Sequence, residues 1–346
     1  MRLRGFFDPC VRSVTPRERH CATRLLASIA LLFACTNAPA ADAESMLAPP
    51  DWAFVINPPP LAAPVPEAAD ATPRHVPGSS RSFTLGQVRD RFAAPDWHPQ
   101  AHPPMPAIVA TGRAPDVYAC GFCHLPNGQG RPENSRLAGL PFDYIVAQMA
   151  DFKSGMRKSS EPKHVPSTLM VALAGKVSDA EIRIAARYFS ALEPAPWIRV
   201  VETGSVPSMR AAGFMLVPDA GNAREPIGER IVETAASLDR TELRDDASGF
   251  IVYVPVGSIA RGRELVTTGG GGKTLACASC HGADLRGLAN VPSIAGRSPS
   301  YVVRQLCDLK SGNRAGQFSG LMRAVVRNLG LEDLVAIAAY TASLPP

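Results

Sequence analysis

Cys120-Gly-Phe-Cys-His124 and Cys277-Ala-Ser-Cys-His281 stand 157 positions apart in one chain, and no other feature restricts the fold as much. Two cysteines flanking two residues and followed at once by histidine would arise by chance in roughly four of a thousand chains with this supply of Cys and His. Two copies point to duplication.

The match extends well beyond the pentads. At the same offset Arg136-Leu-Ala-Gly139 faces Ser293-Ile-Ala-Gly296, Tyr144 faces Tyr301, Gln148 faces Gln305, and Asp151-Phe-Lys-Ser-Gly-Met-Arg157 faces Asp308-Leu-Lys-Ser-Gly-Asn-Arg314. Five extra residues in the first copy then change the offset to 152, after which Ser167-Thr-Leu-Met170 faces Ser319-Gly-Leu-Met322. One module is used twice. Apolar residues at Tyr144, Ile145, Met149 and Phe152 recur at helical intervals and stop at Gly155, predicting a helix with a glycine end, repeated from Tyr301 to Gly312. Ser178-Asp-Ala-Glu181 is a capping-box pattern opening a further helix, whose counterpart lacks the serine. Ser258 to Val266 reads as a capped opening helix, whereas the equivalent segment from Ile108 runs into Ala114-Pro115 and predicts a shorter one.

On a helical turn, positions i, i+3 and i+4 lie together, so two thiols and an imidazole converge on one partner. Haem suits them: its two vinyl groups take the thiols as thioethers, and the histidine offers a ring nitrogen to iron. Zinc would need a second ligand pair that neither module supplies, and a disulfide or redox dithiol leaves the histidine without a role. The expected attachment residues are therefore Cys120, Cys123 and His124, then Cys277, Cys280 and His281. For the ligand opposite each histidine, the first module offers Met156, His164 and Met170. Met156 faces Asn313 and His164 falls in the five-residue excess, so Met170 with its counterpart Met322 is the expected pair, and Met156 is the reserve.

The CxxCH pentads, the Ala-Gly turn after each, the Tyr-x-x-x-Gln helix, and a methionine shortly before a terminal Ala-Ala-Tyr-type helix resemble the class I c-type cytochrome family, especially its dihaem members. The resemblance covers about residues 109–195 and 258–346. It implies a mainly α fold with crossing terminal helices in each module, two covalently bound haem c groups, and a proximal histidine oriented by a nearby proline carbonyl. Pro292 stands in that position for His281, and Ser135 stands there for His124.

Residues 1–40 carry arginines, the apolar run Leu25 to Ala34, and a small-residue end at Ala38-Pro39-Ala40, the layout of a secretory signal; a lipid anchor at Cys35 is the alternative. That segment holds six Arg against Asp8 and Glu18, so +4 of the chain's +5 leaves with it. Nothing basic remains to suggest nucleic acid as a partner. Residues 41–107 are rich in proline and read as an extended arm on a domain surface, its His75, His98 and His102 as surface residues. Modules at 108–196 and 258–346 are then separated by a connector, 197–257, with strand-like runs at Ile198–Val201, Phe214–Val217, Ile231–Val232 and Phe250–Val254. Cys307 faces Ala150 and reads as a buried free thiol, and Thr267 to Lys273 as a flexible glycine connector.

Irons closed by His and Met have no open position, which leaves one-electron transfer as the chemistry. The expectation is an exported, periplasmic dihaem carrier with no membrane span in its mature chain, exchanging electrons with a dehydrogenase, a quinol-oxidising complex or a terminal oxidase. The alternatives are a dihaem peroxidase-like enzyme with one open haem, and a cytochrome subunit held permanently by a periplasmic dehydrogenase.

Overall fold

In the computed structural model, which describes residues 47–59 and 70–346, the two repeats fold into matching sets of helices. The signal segment and Cys35 lie outside the described residues. The Tyr144 stripe becomes the helix Phe142–Lys153 and its counterpart becomes Pro299–Lys310. Both end before a glycine in the left-handed region, Gly155 at φ 74° and Gly312 at φ 78°, which a side chain would disfavour. Ser178 caps the closing helix Asp179–Ser190 in a reciprocal box with Glu181. In the second module Gly330 replaces the serine, yet the helix Leu331–Ser343 keeps an acid three residues on, and the Gly330 N–H donates to Asp333 Oδ2 at 2.8 Å. Among the described residues no helix is long and apolar enough to cross a membrane.

The opening helices differ as the sequence indicates: Ala107–Ala110 against Ser258–Thr268. In the second module the opening and closing helices cross at Gly262, where an added Cβ would lie 2.0 Å from the Ala336 carbonyl oxygen. The glycine run after that helix is an ordered turn, since Thr274 N–H returns to Gly269 O at 3.1 Å and Lys273 Nζ pairs with Asp333 at 2.6 Å.

The connector forms strands where its apolar runs lie. Ile198–Glu202 pairs in parallel with Phe250–Val254, which pairs antiparallel with Val232–Ala235. Two smaller ribbons complete it, Ser205–Pro207 with Arg224–Pro226 and Met209–Ala212 with Met215–Pro218. Its inward residues Val252 and Val254 join the core of the second module with Val303, Leu306 and Leu334. The first module has a separate core around Val109, Ala186 and Phe189.

The proline-rich arm departs from the expected surface strap. Phe54 is buried in the second module's core, and Arg304 Nη1 donates to the Ala53 carbonyl at 2.7 Å. A proline-free stretch further on forms the helix Leu85–Arg89, opened by a Thr84/Gln87 capping box. Trp97 is fully buried beside Val76 and Val88, and its indole N–H donates to Leu243 O at 2.7 Å. His75 is exposed, but His98 and His102 are not surface residues: each is drawn in by a carboxylate, Asp245 at 3.1 Å and Asp96 at 3.2 Å. Cys307 is buried and free, and burial pushes its thiol up to about 12.

The modules meet through the segments that follow their glycine-ended helices. Lys158 N–H donates to Asn313 O and Ala315 N–H to Met156 O, both at 2.7 Å, so the Arg157 and Arg314 backbones form a two-fold-like bridge. Each arginine crosses to the other module's helix. Arg157 Nη2 donates to Gln305 Oε1 at 2.8 Å and Tyr301 Oη at 3.3 Å, while Arg314 Nη2 donates to Gln148 Oε1 at 2.9 Å and Tyr144 Oη at 2.7 Å.

Candidate functional site

Each CxxCH segment is a single helical turn, Cys120–His124 and Ala278–His281 with Cys277 as its cap residue. One turn is too short to persist alone. It is held by the loop that follows, which returns a backbone N–H to the histidine carbonyl: Gly130 to His124 O at 2.9 Å, Gly287 to His281 O at 2.8 Å. That loop holds three residues at positive φ, the last being Gly130 in one module and Gly287 in the other. The modules fill the two positions before it in reversed order, Leu125 and Gly128 in the first, Gly282 and Leu285 in the second.

The same loop fixes the imidazoles. His124 Nδ1 lies 2.7 Å from the Ser135 carbonyl oxygen and His281 Nδ1 lies 2.8 Å from the Pro292 carbonyl oxygen. A carbonyl only accepts, so Nδ1 carries the proton and Nε2 keeps its lone pair. Ser135 thus replaces proline without loss, because the main chain makes the bond. Burial lowers both histidines below the ordinary range, which favours the neutral, metal-binding form.

All four cysteines are free thiols. Burial first, then the neighbouring Cys123, pushes Cys120 up to about 12, and burial pushes Cys277 up to about 11. A raised thiol is a poor nucleophile, which argues against a redox dithiol at these turns. Among the described residues, the group of metal-ligating side chains that does converge includes none of them.

A cavity of about 500 Å³ opens beside the first turn, lined by Cys120, Cys123, His124 and Met170, with Met149 and Phe189 among its apolar walls. The size is that of a bound organic group. Met170 projects from the helix Val165–Ala174. The other two candidates are elsewhere. Met156 is 45% exposed and its backbone forms the bridge between modules. His164 is buried behind that helix, edge-on to Phe54 at 5.8 Å with Nδ1 2.8 Å from Ser167 Oγ. In the second module Met322 lies on Ser319–Val326, and both Met322 and Cys277 pack against the core.

A haem also carries two carboxylate arms, and the structure holds buried cations for them. Arg136, Arg157, Arg297, Arg304 and Arg314 are buried or half-buried about the joint between modules, and Arg136 Nε, Arg297 Nη2 and Arg314 Nε have no hydrogen-bond partner. Burial, then the like charge of Arg297, pulls Arg136 down to about 8. Burial alone would raise the Tyr301 phenol, yet Arg157, Arg314 and Arg297 draw it down to about 7. Buried carboxylates such as Asp308 and Glu233 offset part of this charge, and the cations still prevail at Tyr301. Arg157, Tyr144 and Tyr301 line one end of the cavity, so thiols, imidazole and cations all fit a haem. Sequence reasoning missed the arginines, although Arg157 and Arg314 stand in register in both copies.

No family model matches the chain. It is 41% identical over 240 residues to a cytochrome c4 of Pseudomonas aeruginosa, covering 68% of this chain and 88% of that one. It is 26% identical over 234 residues to a thiosulfate dehydrogenase electron acceptor of Thiomonas intermedia, 67% of this chain and 81% of that one. Among solved structures, a thiosulfate dehydrogenase of Marichromatium purpuratum aligns with TM-score 0.45 and 27% identity over 68% of this chain, which spans 38% of that longer chain. With 41% identity over two thirds of its length to the Pseudomonas protein, the chain belongs to the dihaem c-type cytochrome family that includes cytochrome c4, carriers of electrons on two covalently held haems.

Proposed function

We propose that one haem is held by Cys120, Cys123 and His124 with Met170 opposite, the other by Cys277, Cys280 and His281 with Met322 opposite, and that the exported protein takes electrons from a periplasmic dehydrogenase. The observation that carries the assignment is the repeated histidine geometry, in which Nδ1–H is tied to a main-chain carbonyl and Nε2 is left for iron. When bound, the haem supplies a one-electron couple whose potential a thioether ligand raises relative to a second histidine. The protein's part is to hold the imidazole orientation and exclude water with walls such as Phe189 and Leu140. Its buried arginines balance the carboxylate arms.

Met170→Ala and Met322→Ala should each abolish the sulfur-to-iron absorption of one haem in the oxidised protein, and Met156→Ala should leave both intact. Unchanged iron spectra in Met170→Ala would overturn the assignment. Carbon monoxide should leave the reduced wild type unaltered; a stable shift at one haem would favour the peroxidase-like reading instead.

A second reading has its own support: a relative is named for accepting electrons from thiosulfate dehydrogenase. If this chain is a permanent subunit of such an enzyme, it should leave native extracts in one peak with dehydrogenase activity rather than alone.

A further inference from the structure

Among the described residues, one group of metal-ligating side chains brings its donor atoms together, and it lies outside both haem sites: His98, Asp245 and Asp246, with one atom of each within 4.8 Å of the others. All three are buried. His98 Nε2 lies 3.1 Å from Asp245 Oδ1 and 3.8 Å from Asp246 Oδ1. Donors about 2.1 Å from a common centre stand roughly 3.0–3.4 Å apart in octahedral or tetrahedral arrangements. His98 already stands at that separation from Asp245, and a contraction of about 0.4 Å brings it to that separation from Asp246.

The two aspartates are not equivalent. Asp245 is supplied with donors, Arg240 Nε at 2.6 Å on Oδ2 and the Ala247 N–H at 2.9 Å on Oδ1. Asp246 has a side chain 1% exposed, and neither of its oxygens has a hydrogen-bond partner. A buried carboxylate left without donors is costly and uncommon. A protonated His98 does not cure this, since its single Nε2–H is directed to the nearer Asp245. Among the described residues Arg240 is the one arginine or lysine bonded to the pair, and it reaches Asp245 alone, so Asp246 has no cation hydrogen-bonded to it. The other titratable groups nearby are His102, tied to Asp96, and Tyr188, which donates to Pro126 O.

The geometry points to a divalent transition-metal site at His98, Asp245 and Asp246, of the nitrogen-and-carboxylate type that zinc occupies with water in the fourth position. The ion joins segments 147 residues apart, the arm and the connector. It also sits against the first haem turn. Asn127 Nδ2 donates to Asp246 O at 2.8 Å, and Arg244 donates to Phe122 O at 2.9 Å while stacking on the Phe122 ring at 3.7 Å. The site staples the outer wall of the first module.

The test uses the intact dihaem protein, treated with chelator, dialysed, and titrated with zinc chloride alone in a calorimeter. One saturable equivalent is expected, at least tenfold weaker in Asp246→Asn and in His98→Gln, with the haem spectra unchanged. Zinc should raise the melting temperature of the wild type and not of Asp246→Asn. In chelator Asp246→Asn should melt no lower than wild type, since it removes an unpaired buried charge. Absence of a saturable equivalent, or equal binding by both variants, overturns the site and leaves His98 as a hydrogen-bond partner of Asp245 alone.

Discussion

The two modules share one ancestor sequence and differ in what surrounds the haem turn. In register, Tyr118, Arg131, Pro166 and Leu169 of the first module correspond to Leu275, Leu288, Phe318 and Leu321 of the second. The first four line the cavity, which Arg89 and Arg91 of the arm and Phe214 and Arg244 of the connector wall in further. Their counterparts are 64–75% exposed. The added segments do touch the second module, but on its other side, where Phe54, Val252 and Val254 enter the core. Exposed apolar groups gathered at one site mark a contact surface, and the added segments wall the first haem turn while leaving these residues around the second uncovered. Duplication supplied two equal carriers, and the insertions made them unequal.

The largest break in this comparison is expected at Gly262. Its Cβ would meet the Ala336 carbonyl at 2.0 Å and Tyr340 Cβ at 2.7 Å, and neither is the free end of a flexible side chain. Gly262→Ala should cost about 3 kcal/mol or more by forcing the crossing helices apart. The first module has Met105 in that register and a four-residue opening helix, so the damage should be confined to the second. Unfolding followed at each haem separately checks this. Equal loss at both would mean that the modules melt as one unit.

A smaller effect separates the acids that open the closing helices. Asp333 is 1% exposed and is held by Lys273 at 2.6 Å and Arg261 at 2.8 Å. Burial alone would raise its pKa, but these partners keep it below the ordinary carboxylate range. Glu181 is held by Arg113 first and the Ser178 N–H next, which lower it to about 2. A lowered carboxylate contributes stability above its unfolded pKa and loses it as pH falls through the folded value. Acid titration from about pH 4.5 to 2 should therefore weaken both helices. Asp333→Asn should cost about 2 kcal/mol at neutral pH, because it weakens two charge-assisted hydrogen bonds whose cations stay partly exposed, and Glu181→Gln about 1 kcal/mol as a weakened cap. Both variants should flatten the acid limb of a stability–pH curve, and an unchanged limb would remove these groups from the argument.

Much of this was legible in the residues themselves. The pentads, the 157-position register and the glycine-ended helices gave the modules because each is a local pattern that survives in two copies. The carbonyl partner of His124 was readable only as a position, since His124 to Ser135 and His281 to Pro292 span the same distance in sequence, and the bond itself came from the structure. Three features were not legible. Phe54 and Trp97 sit in proline-rich sequence with no periodicity to mark them as buried. His98 meets a carboxylate 147 residues away, and no spacing rule reaches that far. The arginines at the joint were visible as a repeated motif, but their exchange between modules depends on the packing of two domains.

The smallest expected change in stability carries the sharpest test of the unequal pair. Phe318 and Leu288 are mostly exposed, so Phe318→Ser and Leu288→Ser should stay within about 0.5 kcal/mol of wild type. They should still slow reduction by a partner dehydrogenase several-fold, because they remove apolar contact area around the second haem. Phe214→Ala, which opens the wall of the first cavity, should leave that rate unchanged while making the first haem more accessible to small reductants. Stopped-flow traces resolved by haem, with a protein donor and then with a small one, separate the two routes. If Phe214→Ala slowed the protein donor and Phe318→Ser did not, electrons would enter at the walled module, and the connector would be a docking surface rather than a shield.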